Sequence, residues 1–354
     1  RPVVDGLILH KHGVFTFGRD AREAYERMIA LVSRAEARLA QGRRPVFTPI
    51  SVSRYPLKST EIAPVLRGAC AVRTAGGDAE PKRFVLDYRV DPAILNYVSG
   101  ADLESYAQRG VVTPDHVLRT KSIPLILPEP GAGGLPAFAQ TVRDAVARYA
   151  ARYEAMFARQ DARVGGSKIQ LDPMPRVVLV AGKGLFGLGP TPRDAAMAAD
   201  LAENTIRVVT DAEAIGRFEP LGEADLFDVE YWSLEQAKLK TAVAKPFTGQ
   251  VVMVTGGASG IGRATAKAFA AEGATVAMPD IDLDAARAAG REVGGWGFAC
   301  DVTDRDEVRE AFDAVVDRYG GVDIVVSNAG AAWQGKIGEV PDEVLRRSFE
   351  LNFF

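Results

Sequence analysis

The sequence predicts an α/β fold with part of a doubly wound parallel sheet over residues 247–354, and three observations carry that reading. The first is Val251–Gly262, VVMVTGGASGIG. Val251–Val254 is apolar, as a buried parallel strand should be, and is followed by glycine punctuation. Thr255-Gly256 begins a tight turn. Gly260-Ile261-Gly262 then opens a helix whose apolar positions continue at Ala264, Thr265, Ala268 and Phe269. The second observation is the run Thr275–Met278, which ends in Asp280-Ile281 about 20 residues past the glycines. The third is Val322–Val326, apolar on both faces, running into Asn328-Ala329-Gly330.

Strand, glycine turn and helix N-terminus together make a cradle for pyrophosphate of the Rossmann kind. The first helical turn offers unpaired N–H donors and the positive end of the dipole, and glycines let the backbone approach a phosphate. An ordinary βα turn is the alternative reading of the triplet alone. Asp280, at the C-terminal end of the second strand, suits both hydroxyls of a ribose; its alternative is a cap for a helix from Leu283 onward. A third strand leads to Cys300-Asp301-Val302, and Asp304 begins a helix through Val308, Phe312, Val315 and Val316. The strands should order 3-2-1-4 with right-handed crossovers, which leaves the fourth at an open edge where a further strand would pair.

Composition bounds the rest. The chain has 354 residues, 47% hydrophobic and 25% charged, as expected of a globular protein of two or three domains. A net charge of -3 without a basic run argues against nucleic acid as a partner. Two cysteines, Cys70 and Cys300, exclude a disulfide framework and fit a reducing, cytoplasmic setting. No apolar run approaches a membrane span. The chain opens at Arg1 and halts at Phe354 within a helical pattern, so both ends read as cut. The expected partners are a small-molecule substrate and further copies of the chain.

Before the parallel sheet the pattern divides at about residues 48 and 246. Gly6–Phe17 reads as one strand with Ile8, His10 and His12 on a single face. Asp20 caps the next helix with Glu23 as its capping-box partner; the helix runs through Tyr25, Met28, Val32, Ala35 and Leu39 and ends at Gly42. His-x-His can seed a zinc site, but two histidines do not make one. Residues 49–246 read as an α/β linker region. Arg43–Pro64 is an irregular connection, Phe84–Tyr88 a strand and Pro92–Val98 a helix. Thr113–Lys121 is a polar loop whose His116, Arg119 and Lys121 suit an anion or plain solvent. Pro136–Ala158 is an amphipathic helix with Phe138, Val142, Val146, Tyr149, Tyr153 and Met156 inward. A second G-x-G-x-x-G, Gly182–Gly187, follows the strand Val177–Ala181. It fails as a nucleotide turn because the next helix starts only at Pro192, capped by Thr191. It reads as a turn against the helix Pro192–Ile215.

These residues carry resemblances. TGGASGIG resembles the T-G-x-x-x-G-x-G motif of classical short-chain dehydrogenases at Thr255, Gly256, Gly260 and Gly262. The resemblance implies NAD as cofactor, with Ser259, Ile261 and Ile281 beside it, Asp301-Val302 at the adenine, Asn328-Ala329-Gly330 along the cofactor, and Asn352 as the asparagine of the catalytic tetrad. The tetrad's serine, tyrosine and lysine would fall beyond position 354. HKHGVFTFG followed by a capped helix resembles the closing segment of zinc-dependent class II aldolases, which implies His12 as a zinc ligand and leaves His10 as strand support. EYWSLEQAKL and TPDHVLRTK resemble bifunctional proteins that join the two, of which the rhamnulose-1-phosphate aldolase/lactaldehyde dehydrogenase type is best known. The implied function is an NAD-dependent dehydrogenase for a small sugar-derived alcohol or aldehyde fused to a sugar-phosphate aldolase. Its alternatives are a dehydrogenase for another polyol with a degenerate aldolase part, and a non-catalytic NAD-binding scaffold.

Overall fold

A computed structural model of the chain describes residues 4–11, 13–41, 46–50, 57–72, 81–131, 133–237, 245–336 and 338–353. Its first part is a hairpin and a helix: β1 (Gly6–Leu9), β2 (Gly13–Thr16) and α1 (Ala21–Gln41). The single strand expected over Gly6–Phe17 is therefore two antiparallel strands, with Leu9 opposite Gly13. The chain reverses at His10-Lys11, where Lys11 takes a left-handed φ of 57°, so His10 sits in the turn and strand alternation does not reach it. Asp20 accepts from the Glu23 N–H as expected, but the Glu23 carboxylate reaches back to the Arg19 N–H. Gly42 lies outside the described residues.

The middle of the chain builds a mixed sheet. Its elements are α2 (Ser59–Ala69), β3 (Val85–Arg89), α3 (Pro92–Val98), α4 (Leu103–Ala107), a 3-10 turn at Pro114–His116, α5 (Val117–Thr120), β4 (Leu125–Leu127), α6 (Gly134–Arg163), β5 (Val177–Val180), β6 (Gly184–Gly189), α7 (Pro192–Ile215), α8 (Glu223–Glu230) and α9 (Ser233–Ala237). The strands order β3-β6-β5-β4, parallel only between β4 and β5. Strand alternation sorts the core into two faces. Val178, Val180, Phe186 and Leu188 face α2 and α6, while Val177, Leu179 and Leu185 face α3 and α7. The inward residues expected for α6 are the buried ones, with Ala145 added.

Three expectations here are corrected. Residues 59–64 belong to α2 rather than to an irregular connection; burial of Ile62, Ala63 and Leu66 outweighs the break that Pro64 makes in the helical ladder. Thr113–Lys121 is two short helical turns with Val117, Thr120 and Lys121 buried, not a polar loop. The second glycine triplet is not a turn against α7; it forms the turn into β6 and then the strand itself. A Cβ on Gly187 or Gly189 would meet the α7 backbone at Ala195 and Ala199 or at Asp194 and Ala195, so these glycines serve close helix–strand contact.

The last part is β7 (Val251–Val254), α10 (Gly260–Ala271), β8 (Thr275–Asp280), α11 (Leu283–Val293), β9 (Trp296–Ala299), α12 (Arg305–Tyr319), β10 (Ile324–Val326) and α13 (Asp342–Asn352). Every pairing is parallel and the order is β10-β7-β8-β9, the 3-2-1-4 order expected. Strand four is shorter than Val322–Val326. It is also not buried on both faces, because at the sheet's edge Val325 is 48% exposed. Helix α10 turns Gly262 and Ala266 inward with Phe269 and Ala270, whereas Ala264 and Ala268 face solvent. Of the apolar positions expected, Phe269 packs inward and Ala264 and Ala268 do not, because an alanine methyl has little area to bury.

The two four-stranded sheets share packing. Val85 of β3 joins the core formed by Val251, Met253, Ala277 and Val315, and α12 lies against α2 and β3. Arg67 of α2 is 5% exposed. Its guanidinium pairs with both oxygens of Asp323 (2.7 and 2.5 Å) and donates to Gly249 O and Phe84 O. Asp323 in turn accepts from the Val251 N–H, so this ion pair sits at the start of β7.

Candidate functional site

The C-terminal ends of β7, β8 and β10 bring the glycine turn, Asp280 and Asn328 together. Thr255 bolts two strands to one loop. Its hydroxyl accepts from the N–H groups of Asn328 (2.9 Å) and Ala329 (3.0 Å), and its own N–H donates to Val326 O. The Asn328 amide donates to Thr255 O and Gly256 O. Gly256 takes a φ of 63°, and a Cβ there would meet Ala329 Cα at 2.9 Å, so conformation and space both call for glycine. A Cβ on Gly262 would run into Gly256 O and the Asn328 amide. At Gly260, by contrast, a Cβ would meet nothing within 4 Å, which leaves the N-terminus of α10 open.

Asp280 faces this turn. Its Oδ2 accepts from the Ala258 N–H at 3.0 Å and its Oδ1 from the Asp282 N–H at 3.1 Å. The cap of α11 is Asp282, whose carboxylate accepts from the Ala285 N–H, so Asp280 is not spent as a helix cap. Ser259 is the N-cap residue of α10 but makes no side-chain cap bond. Ile261 and Ile281, 78% and 74% exposed, flank the turn as bare apolar surfaces.

Asp301 lies farther along, after β9. With Ile281, Thr303, Arg346 and Arg347 it lines a cleft of roughly 320 Å³ against α13. The Thr303 hydroxyl and N–H both donate to the Asp301 carboxylate and hold its pKa below the usual carboxylate value, with Arg347 adding to the effect. Val302 instead packs its side chain into the core. Asn352 of α13 accepts from Ala331 N and donates to Ala331 O and Ser348 O, pinning the loop that carries Asn328-Ala329-Gly330. A Cβ on Gly330 would press on the Asn352 Oδ1 at 2.6 Å. Thr303 and Arg347 were missed in the sequence because nothing in the local pattern says that α13 folds back over the end of β9.

His12 lies outside the described residues. Among the described residues, no group of three or more His, Cys, Asp and Glu gathers to hold a metal ion. Lys121 and His116 do not offer an open anion site either. Lys121 pairs with Glu230, and burial lowers the pKa of His116 against the opposing pull of Asp115.

An open helix N-terminus behind a glycine turn, with a carboxylate from the next parallel strand aimed at it, is the arrangement of the doubly wound sheets of oxidoreductases. The comparisons with known proteins make this specific. The family model described as aldolase class II, second domain, matches residues 57–239, more than half of the chain, and the chain belongs to that family. The short-chain dehydrogenase model matches residues 250–354, and the class II aldolase and adducin N-terminal domain model matches residues 3–39. The chain is thus a fusion of class II aldolase parts with a short-chain dehydrogenase part. It is 31% identical over 369 aligned residues to the uncharacterized oxidoreductase YuxG of Bacillus subtilis, covering 99% of this chain and 51% of that protein. The chain therefore spans about half the length of that relative. Sorbitol dehydrogenase of Cereibacter sphaeroides is 42% identical over 29% of this chain and 41% of its own length. D-threitol dehydrogenase of Mycolicibacterium smegmatis is 46% identical over 24% and 34%. A solved actinorhodin polyketide ketoreductase variant with NADPH aligns at 34% identity over 29% of this chain and 41% of that one, with a TM-score of 0.29.

Proposed function

We propose that the chain is part of a bifunctional carbohydrate enzyme. Its short-chain dehydrogenase portion would move hydride between NAD and a hydroxyl or carbonyl carbon of a small sugar-derived alcohol or aldehyde, such as lactaldehyde. Its class II portion would belong to a zinc-dependent sugar-phosphate aldolase. The observation that carries the dehydrogenase reading is the Asp280 carboxylate, held over the glycine turn at hydrogen-bond distance from the Ala258 N–H. Two relatives named for sorbitol and D-threitol favour a polyol or hydroxyaldehyde substrate.

The residues present fit a dinucleotide. NAD, when bound, supplies the hydride acceptor or donor. The open first turn of α10 would hold the pyrophosphate, and Gly256, Gly260 and Gly262 would let the backbone approach it. Asp280 would accept from the adenosine ribose hydroxyls and repel a 2′-phosphate. Ile281 and Asp301 would bed the adenine, and Asn328, Ala329 and Gly330, pinned by Asn352, would line the rest. For zinc, His12 is the one ligand the resemblance names, and a site needs at least three protein ligands.

The test is a titration of the purified protein with NAD and NADP. NAD is expected to bind more tightly, and Asp280→Ala to erase the difference. Tighter binding of NADP would overturn the assignment. A cytoplasmic, homo-oligomeric protein completes the proposal, and sedimentation reads the second part. Among the described residues no helix is long and apolar enough to cross a membrane.

A further inference from the structure

The segment that reads as a polar loop delivers a lysine into the protein interior at two costs. Lys121 has φ 62° and ψ 174°, a backbone state almost confined to glycine. Its ammonium is taken out of water, with the residue 5% exposed. There Nζ lies 3.3 Å from Glu230 Oε1 and 4.0 Å above the Tyr153 ring. The Tyr153 hydroxyl meets the same Glu230 oxygen at 2.9 Å and the Tyr231 hydroxyl at 2.7 Å. Glu230 is 1% exposed. Burial lowers the Lys121 pKa, with Glu230 opposing it.

This polar cluster adjoins a cavity of roughly 150 Å³ between α6 and α8. Glu230 and Tyr153 line it together with apolar side chains that include Val117, Ile123, Leu226 and Phe227. Lys121 lines a smaller neighbouring cavity of roughly 40 Å³, and Ser122 and Ile123 line both. The Lys121–Glu230 pair thus stands between the two spaces.

We propose that the larger cavity is a binding site for a short neutral polyol, with Glu230 and Tyr153 as its polar floor and the buried Lys121 fixing the carboxylate. Charge argues for a neutral ligand. The floor is neutral, because Lys121 is matched by Glu230; around it Arg109 pairs with Glu213 and Glu223 with Arg159, and the exposed Arg152 donates to the Gln108 amide oxygen. Hydrogen-bond chemistry argues for hydroxyl donors. The floor is a carboxylate whose Oε1 already serves Lys121 and Tyr153, and Oε2 takes the ligand hydroxyl. Volume argues for a short chain, because the cavity holds only roughly 150 Å³. The site stands on residues separate from the dehydrogenase turn, so its failure leaves the proposed cofactor chemistry untouched.

Calorimetric titration with erythritol, in the absence of any nicotinamide cofactor, tests it. Saturable millimolar binding is expected, with 1,4-butanediol, which lacks the inner hydroxyls, at least about tenfold weaker, a loss worth one hydrogen bond to a charged group. Tyr153→Phe should weaken erythritol by a similar factor, while Asp280→Ala should leave it unchanged. Inorganic phosphate should neither bind nor compete. In the wild-type protein, erythritol should slow hydrogen exchange across Glu223–Glu230, a readout that needs no variant to fold. Absence of saturable binding, equal binding of the diol, loss of binding in Asp280→Ala, or tighter binding of phosphate would each overturn the proposal.

Discussion

At the residue scale, Gly262 shows how two effects compete at one position. Replacing a helical glycine by alanine gains about 1 kcal/mol of helix propensity. Here the added Cβ would run into Gly256 O and the Asn328 amide, neither of which can move without opening the turn. The clash should win, because overpacking costs about 1–3 kcal/mol and the backbone atoms are fixed by the Thr255 bonds. Gly262→Ala should lower the melting temperature by several degrees and weaken NAD binding at least about tenfold, a change of 1.4 kcal/mol. Calorimetric melting and cofactor titration read the two effects. His116 supplies the pH prediction. Burial holds its folded pKa below 6.5, so the unfolded chain binds the extra proton first as pH falls. Stability from His116 should be full above pH 6.5 and decline as pH drops through that value toward the folded pKa. Urea unfolding midpoints on either side of 6.5 measure the decline, and His116→Gln should flatten it.

At the element scale, the clearest lesson is β6. Gly182–Gly187 has the spelling of a phosphate-binding turn, and its failure was legible in the distance to the helix at Pro192. What the glycines do was not legible, because the face of β6 that needs them is defined by α7 crossing it. Gly187→Ala should destabilise the protein by about 1–3 kcal/mol, since the added methyl meets the α7 backbone rather than a side chain that can swing away. The midpoint of denaturant unfolding checks this. Helix limits were read well where chemistry punctuates them. Thr191 and Asp304 accept from N–H groups of the turns they cap, and α7 spans Pro192–Ile215 as expected. The reading failed at α2, where a proline and neighbouring polar residues concealed a helix held by its buried face.

At the scale of the whole molecule, Arg67 and Asp323 join the mixed sheet to the parallel one. Both side chains are nearly buried, and Arg67 also satisfies Gly249 O and Phe84 O. Removing one partner of such a pair costs about 3–5 kcal/mol, because the other charge is left in the interior. Arg67→Met should therefore destabilise the protein strongly and split its thermal transition, with the parallel sheet melting first; adding Asp323→Leu should recover part of the loss. Differential scanning calorimetry of the single and double variants decides the matter, and a single unshifted transition in Arg67→Met would sink the idea.

The sequence by itself determined the parallel sheet and the turn at its heart. A four-residue apolar strand, a glycine turn and a helix start are local features; right-handed connection of successive strands leaves a handful of orders, and the dinucleotide-binding pattern of turn and acid selects 3-2-1-4 among them. That Asp280 faces the glycine turn was legible for the same reason: the C-terminal ends of adjacent parallel strands must meet. Tertiary structure decided what lies far apart in sequence. Lys121 and Glu230, Arg67 and Asp323, and Asp301 and Arg347 meet only because helices pack across sheets. A lysine in a polar stretch reads as solvated until packing removes the water, and hydrophobic period carries no information about which distant charge will compensate it.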